Sequence, residues 1–150
     1  ETALEEICKR GSVRGIEYSI RLAAKASEQA GSKAPLYYWN FDPEIPGWDN
    51  PGTFHSVDLW FFFETLAKCW RPFVGKHYDL ARQMCNYWCH FIRTGDPNGL
   101  DSTGETLPTW EPYTMAAPYG MLFADTTSFH REGPSALMQF LVDQQMKAQA

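Results

Sequence analysis

Histidine and cysteine are the residues of this chain whose side chains most readily move protons, attack carbonyl groups or bind metals, and it has four of each. His77, His90 and His130 lie in segments predicted to be helix faces or a polar turn, where a histidine usually has a structural role. His55 differs, because it follows a loop rich in proline and glycine and precedes a run of large apolar residues. Loops that leave strand ends in α/β proteins commonly carry catalytic groups. This position favours His55 as a general base.

The loop before His55 has the sequence DPEIPGWDNPGT and occupies residues 42–53. Its prolines lack N–H donors and its glycines disfavour regular structure, so it continues neither a helix nor a sheet. Ser56 is expected to cap a short helix whose first turn carries Asp58. The positive end of that helix dipole disfavours a cationic imidazole. A neutral His55 could accept a proton from a serine or cysteine nucleophile.

No nucleophile motif accompanies His55 in this sequence. The chain has no G-x-S-x-G, and GPSAL at residues 133–137 lacks the second glycine and opens the terminal helix. Cys85 and Cys89 lie one helical turn apart, but structural zinc requires four ligands and no second pair is evident. We therefore predict no metal and no cofactor, and we expect both cysteines to be buried free thiols.

The composition is that of a folded protein. Of 150 residues, 44% are apolar and 21% are charged, with a net charge of -5. This balance argues against a nucleic-acid partner, and no apolar run approaches the roughly 20 residues needed for a membrane span. The cysteines are too sparse for a disulfide scaffold. Both a cytoplasmic and a secreted location fit these features.

The periodicity of the chain predicts about five helices and only two short strands. The helices are expected at residues 2–10, 16–30, just after Ser56, 77–93 and from 134 onward, and the strands at 36–41 and 121–124. In the helix of residues 77–93, the predicted inward stripe ends with Trp88, Phe91 and Ile92. Helices around buried strands indicate an α/β architecture, and most of the sheet that these strands would join is expected to lie outside this sequence.

Four segments together resemble the C-terminal portion of type B carboxylesterases, the cholinesterase-like branch of the α/β-hydrolases. They are YYWNFDP, GTFHSVDLWFFF, RQMCNYWCHFIRTGDPNG and LPTWEPYT, and the resemblance spans residues 16–125. It implies that residues 1–150 are the C-terminal part of a single α/β-hydrolase domain. The N-terminal part, with the nucleophile, the oxyanion-hole loop and the triad acid, would then be absent from this chain.

The same resemblance assigns roles to individual residues. His55 would be the histidine of a Ser-His-Glu/Asp triad, and Asp58 would belong to the surroundings of the site. Phe54, Val57 and Trp48 are expected to line the substrate pocket. The implied substrate is a small-molecule carboxylic ester, the implied partner is the missing N-terminal portion, and the isolated chain is expected to be inactive.

Two other functions compete with an esterase. The same family contains non-catalytic adhesion or binding domains, against which the presence of His55 argues. An aromatic carbohydrate-binding module is the other possibility, because the chain has six tryptophans and seven tyrosines. An aromatic core accounts for most of these residues.

Overall fold

The strands form one small mixed sheet. The computed structural model describes residues 13–133 and 136–148, and there β1 (Trp39–Phe41), β2 (Gly120–Phe123) and β3 (Thr127–His130) pair in that order. β1 and β2 are parallel, with Trp39 opposite Met121, whereas β2 and β3 form an antiparallel hairpin. The large apolar side chains of β1 and β2 suit a pleated, half-buried surface.

β3 corrects the expectation of only two strands. Both predicted strands are present, at residues 39–41 and 120–123. β3 escaped prediction because its side chains do not form a clear apolar face: Thr127 is buried, whereas His130 is exposed. Such an outer strand is defined by its backbone pairing with β2, which a side-chain pattern does not reveal. His130 therefore lies on a strand and not on a helix face or in a turn.

Four α-helices and one short 3₁₀ helix are present in the described residues. They are α1 (Val13–Gln29), α2 (Asp58–Phe62), α3 (Gly75–Thr94) and α4 (Ala136–Ala148), with the 3₁₀ helix at Leu66–Lys68. The expected count of five is not matched, and the helix expected at residues 2–10 lies outside the described residues. Every helix within residues 13–133 and 136–148 is too short or too polar to cross a lipid bilayer.

The chain divides into two compact units. The first unit contains the described parts of residues 1–38, 112–119 and 131–150. In it α1 packs against α4, and buried Arg21 donates a hydrogen bond to Gln139 Oε1 at 2.6 Å. A small apolar cluster forms around Ala24, Tyr38 and Tyr113. This unit contains none of the predicted site residues.

The second unit, residues 39–111 and 120–130, carries the sheet and the candidate site. Its core is aromatic. Phe61 and Phe62 of α2 are buried and meet the rings of Phe41 and Trp39 edge-on, with centroids 5.0 and 5.1 Å apart. Edge-to-face packing is a favourable arrangement of aromatic rings, so these contacts hold α2 against β1.

The inward face of α3 differs from the predicted stripe at its C-terminal half. Trp88, Phe91 and Ile92 are 38%, 39% and 69% exposed, whereas Tyr87 is fully buried. Tyr87 donates a hydrogen bond to Pro108 O, and burial raises the pKa of its hydroxyl. The stripe therefore advances three residues from Met84 to Tyr87 and not four to Trp88, and the hydroxyl of the buried Tyr87 reaches the carbonyl oxygen of Pro108.

The segment after α3 is closed by a set of contacts that we call the Asn98 clamp, formed by Asp96, Asn98 and Trp110. Asp96 Oδ1 accepts hydrogen bonds from the backbone and side-chain nitrogens of Asn98, at 2.9 and 2.7 Å. The Asn98 amide donates to Trp110 O at 2.9 Å, and Trp110 N donates to Asn98 Oδ1 at 2.7 Å. The clamp gives the GDPNG segment a structural role.

Candidate active site

His55 lies in a four-residue turn that connects the Pro/Gly-rich loop to α2. Val57 N donates to Phe54 O at 3.1 Å, so His55 and Ser56 are the central residues of the turn. Ser56 has a φ of +66°, as a type II turn requires at this position, although residues other than glycine rarely adopt it. Strain of this kind costs about 1–3 kcal/mol and is frequently retained at functional sites.

Ser56 does not cap α2, contrary to the sequence prediction. The N-cap residue is Val57, and no side chain provides a capping hydrogen bond. A capping serine normally has an extended backbone, which Ser56 does not have. Asp58 lies in the first turn of α2 as predicted. With only five residues, α2 has a small dipole, so its effect on His55 is weaker than expected.

His77 is held at both ring nitrogens. Its Nδ1 accepts a hydrogen bond from Val74 N at 2.9 Å, and its Nε2 lies 3.1 Å from Glu44 O. A backbone N–H can only donate and a carbonyl can only accept, so this buried ring is the neutral form with the proton on Nε2. His77 is a structural histidine at the start of α3, as predicted.

His90 and His130 also have partners. Nε2 of His90 lies 2.9 Å from Leu100 O, and its Nδ1 accepts from Arg93 Nη2 at 3.2 Å. His130 Nε2 lies 3.0 Å from Ser128 Oγ. His55 is exposed, and its ring has no hydrogen bond within the part of the chain that the structure describes.

An arginine that the sequence pattern did not reveal holds the loop before His55. Arg71 donates to both carboxylate oxygens of Asp49, at 2.9 and 2.8 Å, and to Pro46 O at 3.1 Å. These hydrogen bonds from Arg71 hold the pKa of Asp49 below its usual range. We call residues 42–57 the His55 loop. In the sequence Arg71 stands between Trp70 and Pro72 and belongs to no helical or strand periodicity, so the pattern did not indicate its role.

The predicted pocket residues occupy different environments. Trp48 is 89% exposed, and its ring centroid lies 6.5 Å from that of Trp70. Phe54 is also exposed, whereas Val57 is fully buried and Asp58 is half-buried. The structure therefore places Trp48 and Phe54 on the surface and Val57 in the interior. Their assignment to a substrate pocket stays a prediction.

The two cysteines of α3 are not equally buried. Burial, together with the nearby Cys89 and Glu64, raises the pKa of Cys85 to about 11, so its thiol is a poor nucleophile at neutral pH. Cys85 is half-buried and Cys89 is exposed, so the expectation that both thiols are buried is wrong. Among the described residues, no group of three or more His, Cys, Asp or Glu side chains could hold a metal ion.

Comparison with known proteins identifies the relatives of the chain. Carboxylesterase 5A of Canis lupus familiaris is 48% identical over 108 residues, which cover 65% of this chain and 18% of that protein. Acetylcholinesterase of Gallus gallus is 32% identical over 108 residues, which cover 69% of this chain and 13% of that protein. The chain thus spans less than a fifth of the length of these relatives.

Solved structures of esterases have the same fold over most of the chain. Carboxylesterase EST55 of Geobacillus stearothermophilus at pH 6.8 matches with a TM-score of 0.58 and 27% identity, over 79% of this chain and 24% of that chain. An esterase of Clostridium hathewayi that can hydrolyse aliphatic aromatic polyesters matches with a TM-score of 0.59 and 25% identity, over 93% of this chain and 24% of that chain. These neighbours are α/β-hydrolase esterases. The model of the carboxylesterase family matches residues 13–143, and the chain belongs to that family.

Proposed function

We propose that this chain is the C-terminal part of a serine carboxylesterase and that it supplies the catalytic histidine, His55. The observation that carries the proposal is the exposed ring of His55 in a strained turn, whereas His77 and His90 use both ring nitrogens within the fold. A general base must offer a ring nitrogen to the proton of the nucleophile. Membership of the carboxylesterase family supports small-molecule carboxylic esters as substrates.

The rest of the catalytic machinery would come from the N-terminal portion of the protein. That portion would supply the nucleophilic serine, the triad Glu or Asp and the oxyanion-hole donors. The chain spans only 13–18% of the length of the relatives described above. The remaining part of the family domain would therefore contribute the serine, the carboxylate and the oxyanion-hole donors. The exposed apolar side chains of Trp88 and Ile92 on α3 offer that portion a surface to cover.

The reaction would proceed in two acyl-transfer steps with His55 moving one proton in each. The serine oxygen attacks the ester carbonyl carbon while His55 accepts the serine proton, and the imidazolium then protonates the alcohol as its C–O bond breaks. Water attacks the acyl-enzyme in the same way, and its proton returns through His55 to the serine oxygen. The triad carboxylate would hold the other ring nitrogen of His55.

The neighbours of His55 would have supporting roles. Asp58, in the first turn of α2, would influence the electrostatic field around the imidazole without orienting it. Trp48 and Phe54, which are exposed, would contact the substrate, and the buried Val57 would support that wall from the interior.

The proposal is tested by removing His55 from the full-length protein. We expect His55→Ala to lower kcat/KM for p-nitrophenyl acetate by about three to four orders of magnitude or more, as loss of a triad member does in serine hydrolases. His130→Ala removes another exposed histidine and should leave kcat/KM unchanged. The isolated 150-residue chain should be inactive on the same ester, because it lacks the nucleophile and the oxyanion donors.

Two results would contradict these assignments. Near-normal hydrolysis by His55→Ala, with the fold verified by circular dichroism, would exclude His55 as the base, whereas no hydrolysis by the wild-type full-length protein would favour a non-catalytic adhesion or binding domain. Asp58→Asn should cost far less activity than His55→Ala. Equal losses would show that Asp58 orients His55 directly.

A further inference from the structure

We propose that Arg71 is a positioning residue that holds the His55 loop in the shape required for catalysis. This inference rests on the proposed function, because it concerns the same histidine. Arg71 lies outside the loop, nine residues beyond the end of α2 at Phe62. It contacts neither the His55 ring nor a reacting atom, so its effect on the reaction would be indirect.

The hydrogen bonds of Arg71 tie two points of the loop to one rigid group. Its Nη1 donates both to Asp49 and to the carbonyl of Pro46, and its Nη2 donates to the second carboxylate oxygen of Asp49. A paired guanidinium–carboxylate contact fixes direction as well as distance, because both groups are planar. The side chain of Arg71 is 7% exposed, so water competes little for these hydrogen bonds.

The face of the same guanidinium reaches the residue next to His55. Arg71 Cζ lies 5.4 Å from the centroid of the Phe54 ring and 4.6 Å from that of Trp70. Cations over aromatic faces are attracted at these distances. Phe54 is also the first residue of the turn that contains His55, because its carbonyl oxygen accepts the hydrogen bond from Val57 N. Arg71 therefore constrains the loop from Pro46 to the residue that precedes the imidazole.

The absence of a side chain at Gly47 makes room for the ion pair between Arg71 and Asp49. A Cβ atom added at Gly47 would overlap Arg71 Nη1 and Asp49 Oδ1. The loop backbone thus approaches the ion pair more closely than any other residue type would permit. A methyl group at this position would disturb the ion pair directly, which makes Gly47→Ala an independent way to loosen the same contact.

Between residues 46 and 57, few backbone hydrogen bonds define the shape of the loop. Its described backbone hydrogen bonds within residues 46–57 are long or local, from Asn50 N to Gly47 O at 3.4 Å and from Val57 N to Phe54 O at 3.1 Å. Asn50, Gly52 and Ser56 all have positive φ values. A segment with few backbone contacts and strained residues opens at low free-energy cost unless side chains hold it. Arg71 supplies that restraint.

The inference is tested by two measurements on the full-length protein. Hydrogen exchange should accelerate by about tenfold or more in peptides from residues 42–57 of Arg71→Ala, while α3 stays protected. In the same variant kcat for p-nitrophenyl acetate should fall by roughly 10- to 100-fold, because a displacement near 1 Å at a catalytic group has effects of that size. KM should change less than kcat, because Arg71 reaches the proposed substrate wall only indirectly, through its contact with Phe54.

Matched variants separate positioning from loss of stability. Arg71→Lys keeps the charge but not the paired geometry and should recover part of kcat, and Asp49→Asn and Gly47→Ala should give milder changes in the same direction. Arg82 donates to both carboxylate oxygens of Asp101 at 3.1 Å in the same unit. Arg82→Ala therefore breaks a comparable pair and should leave kcat and loop exchange unchanged.

The exchange and kinetic measurements test separate parts of the proposal. If exchange in residues 42–57 is unchanged in Arg71→Ala, Asp49→Asn and Gly47→Ala, Arg71 does not hold the loop, whatever the activity. If exchange rises but kcat remains at the wild-type value, the positioning role is overturned. Failure of the proposed function would instead show as unimpaired hydrolysis by His55→Ala, a result that does not depend on Arg71.

Discussion

The His55 loop and the segment closed by the Asn98 clamp are both irregular, contain glycine and proline, and belong to the second unit. Different contacts hold the two in place. The side-chain amide of Asn98 bonds both backbone groups of Trp110, and Asp96 orients that amide by accepting a hydrogen bond from its nitrogen. In the His55 loop, Asp49 instead depends on Arg71, which lies 22 residues further along the chain.

The two segments also differ in the position of their aromatic and polar groups. Trp110 of the clamp is 3% exposed and meets Tyr87 edge-on. In the His55 loop, Trp48 and Phe54 face the surface, and His55 is exposed beside the strained backbone of Ser56. Satisfied polar groups and buried rings stabilise a fold, whereas exposed reactive groups and backbone strain reduce stability and suit a functional loop. The contrast favours a structural role for the clamp and a chemical one for the loop.

Breaking the clamp should have the largest effect on stability. Asn98→Ala removes the two hydrogen bonds that the Asn98 amide makes with the backbone of Trp110, and we expect a loss of about 2–4 kcal/mol in the free energy of unfolding, since removing one partner of a buried hydrogen bond costs about 1–3 kcal/mol. Thr109→Ala, at the exposed neighbouring position, should change it by less than about 0.5 kcal/mol. Urea unfolding of the full-length protein measures both. Equal midpoints for the two variants would show that the clamp is dispensable.

Relieving the strain beside His55 should have a smaller effect of opposite sign. Ser56→Gly places the residue type that tolerates a φ of +66° at the strained position, and we expect a gain of up to about 1 kcal/mol in the free energy of unfolding. Ser56→Ala retains the Cβ atom and should give no gain, which separates the backbone effect from loss of the hydroxyl. If the Ser56→Gly protein is less stable than the Ser56→Ala protein, the backbone at residue 56 is not strained.

Acid should loosen the His55 loop. Because Arg71 holds the pKa of Asp49 below its usual range, the pair stabilises the folded state at pH values above the unfolded-chain pKa of about 4. That contribution is lost as the pH falls through the lower pKa of the folded state. Pepsin cleavage within residues 42–57 should therefore rise below about pH 4 in the wild type.

Asp49→Asn is the matched control for the acid effect. The asparagine cannot titrate, so this variant should show loop cleavage that is already elevated at pH 4 and depends less on pH. Cleavage within α3, measured in the same digests, reports global unfolding. The same pH dependence in Asp49→Asn and the wild type would show that another group controls the loop.

Local pattern predicted the elements of the fold better than their contacts. Apolar periodicity and the Pro/Gly loop correctly indicated β1, β2 and α3, and they placed His55 in the turn ahead of α2, which begins three residues later at Asp58. These features follow from interactions over a few residues, which sequence spacing records directly. The catalytic role of His55 stays a prediction, carried by the resemblance and by the exposure of the ring.

The misses share a dependence on tertiary structure. Tyr87 and not Trp88 lies on the inward face, where its hydroxyl donates to a carbonyl oxygen 21 residues away. The backbone of β3 pairs with β2 without a strong side-chain pattern. Arg71 bonds Asp49, which lies 22 residues earlier in the chain. No local period encodes such partners, so only the folded chain reveals them.

Covalent labelling of the full-length protein tests the central claim most directly, namely that His55 activates a serine outside these 150 residues. A fluorophosphonate reacts with an activated serine in one step and requires no turnover. We expect mass spectrometry to find one adduct per molecule, on a serine in the N-terminal portion, with labelling at least about 1000-fold slower in His55→Ala and unchanged in His130→Ala. Labelling of correctly folded His55→Ala at the wild-type rate would contradict the account.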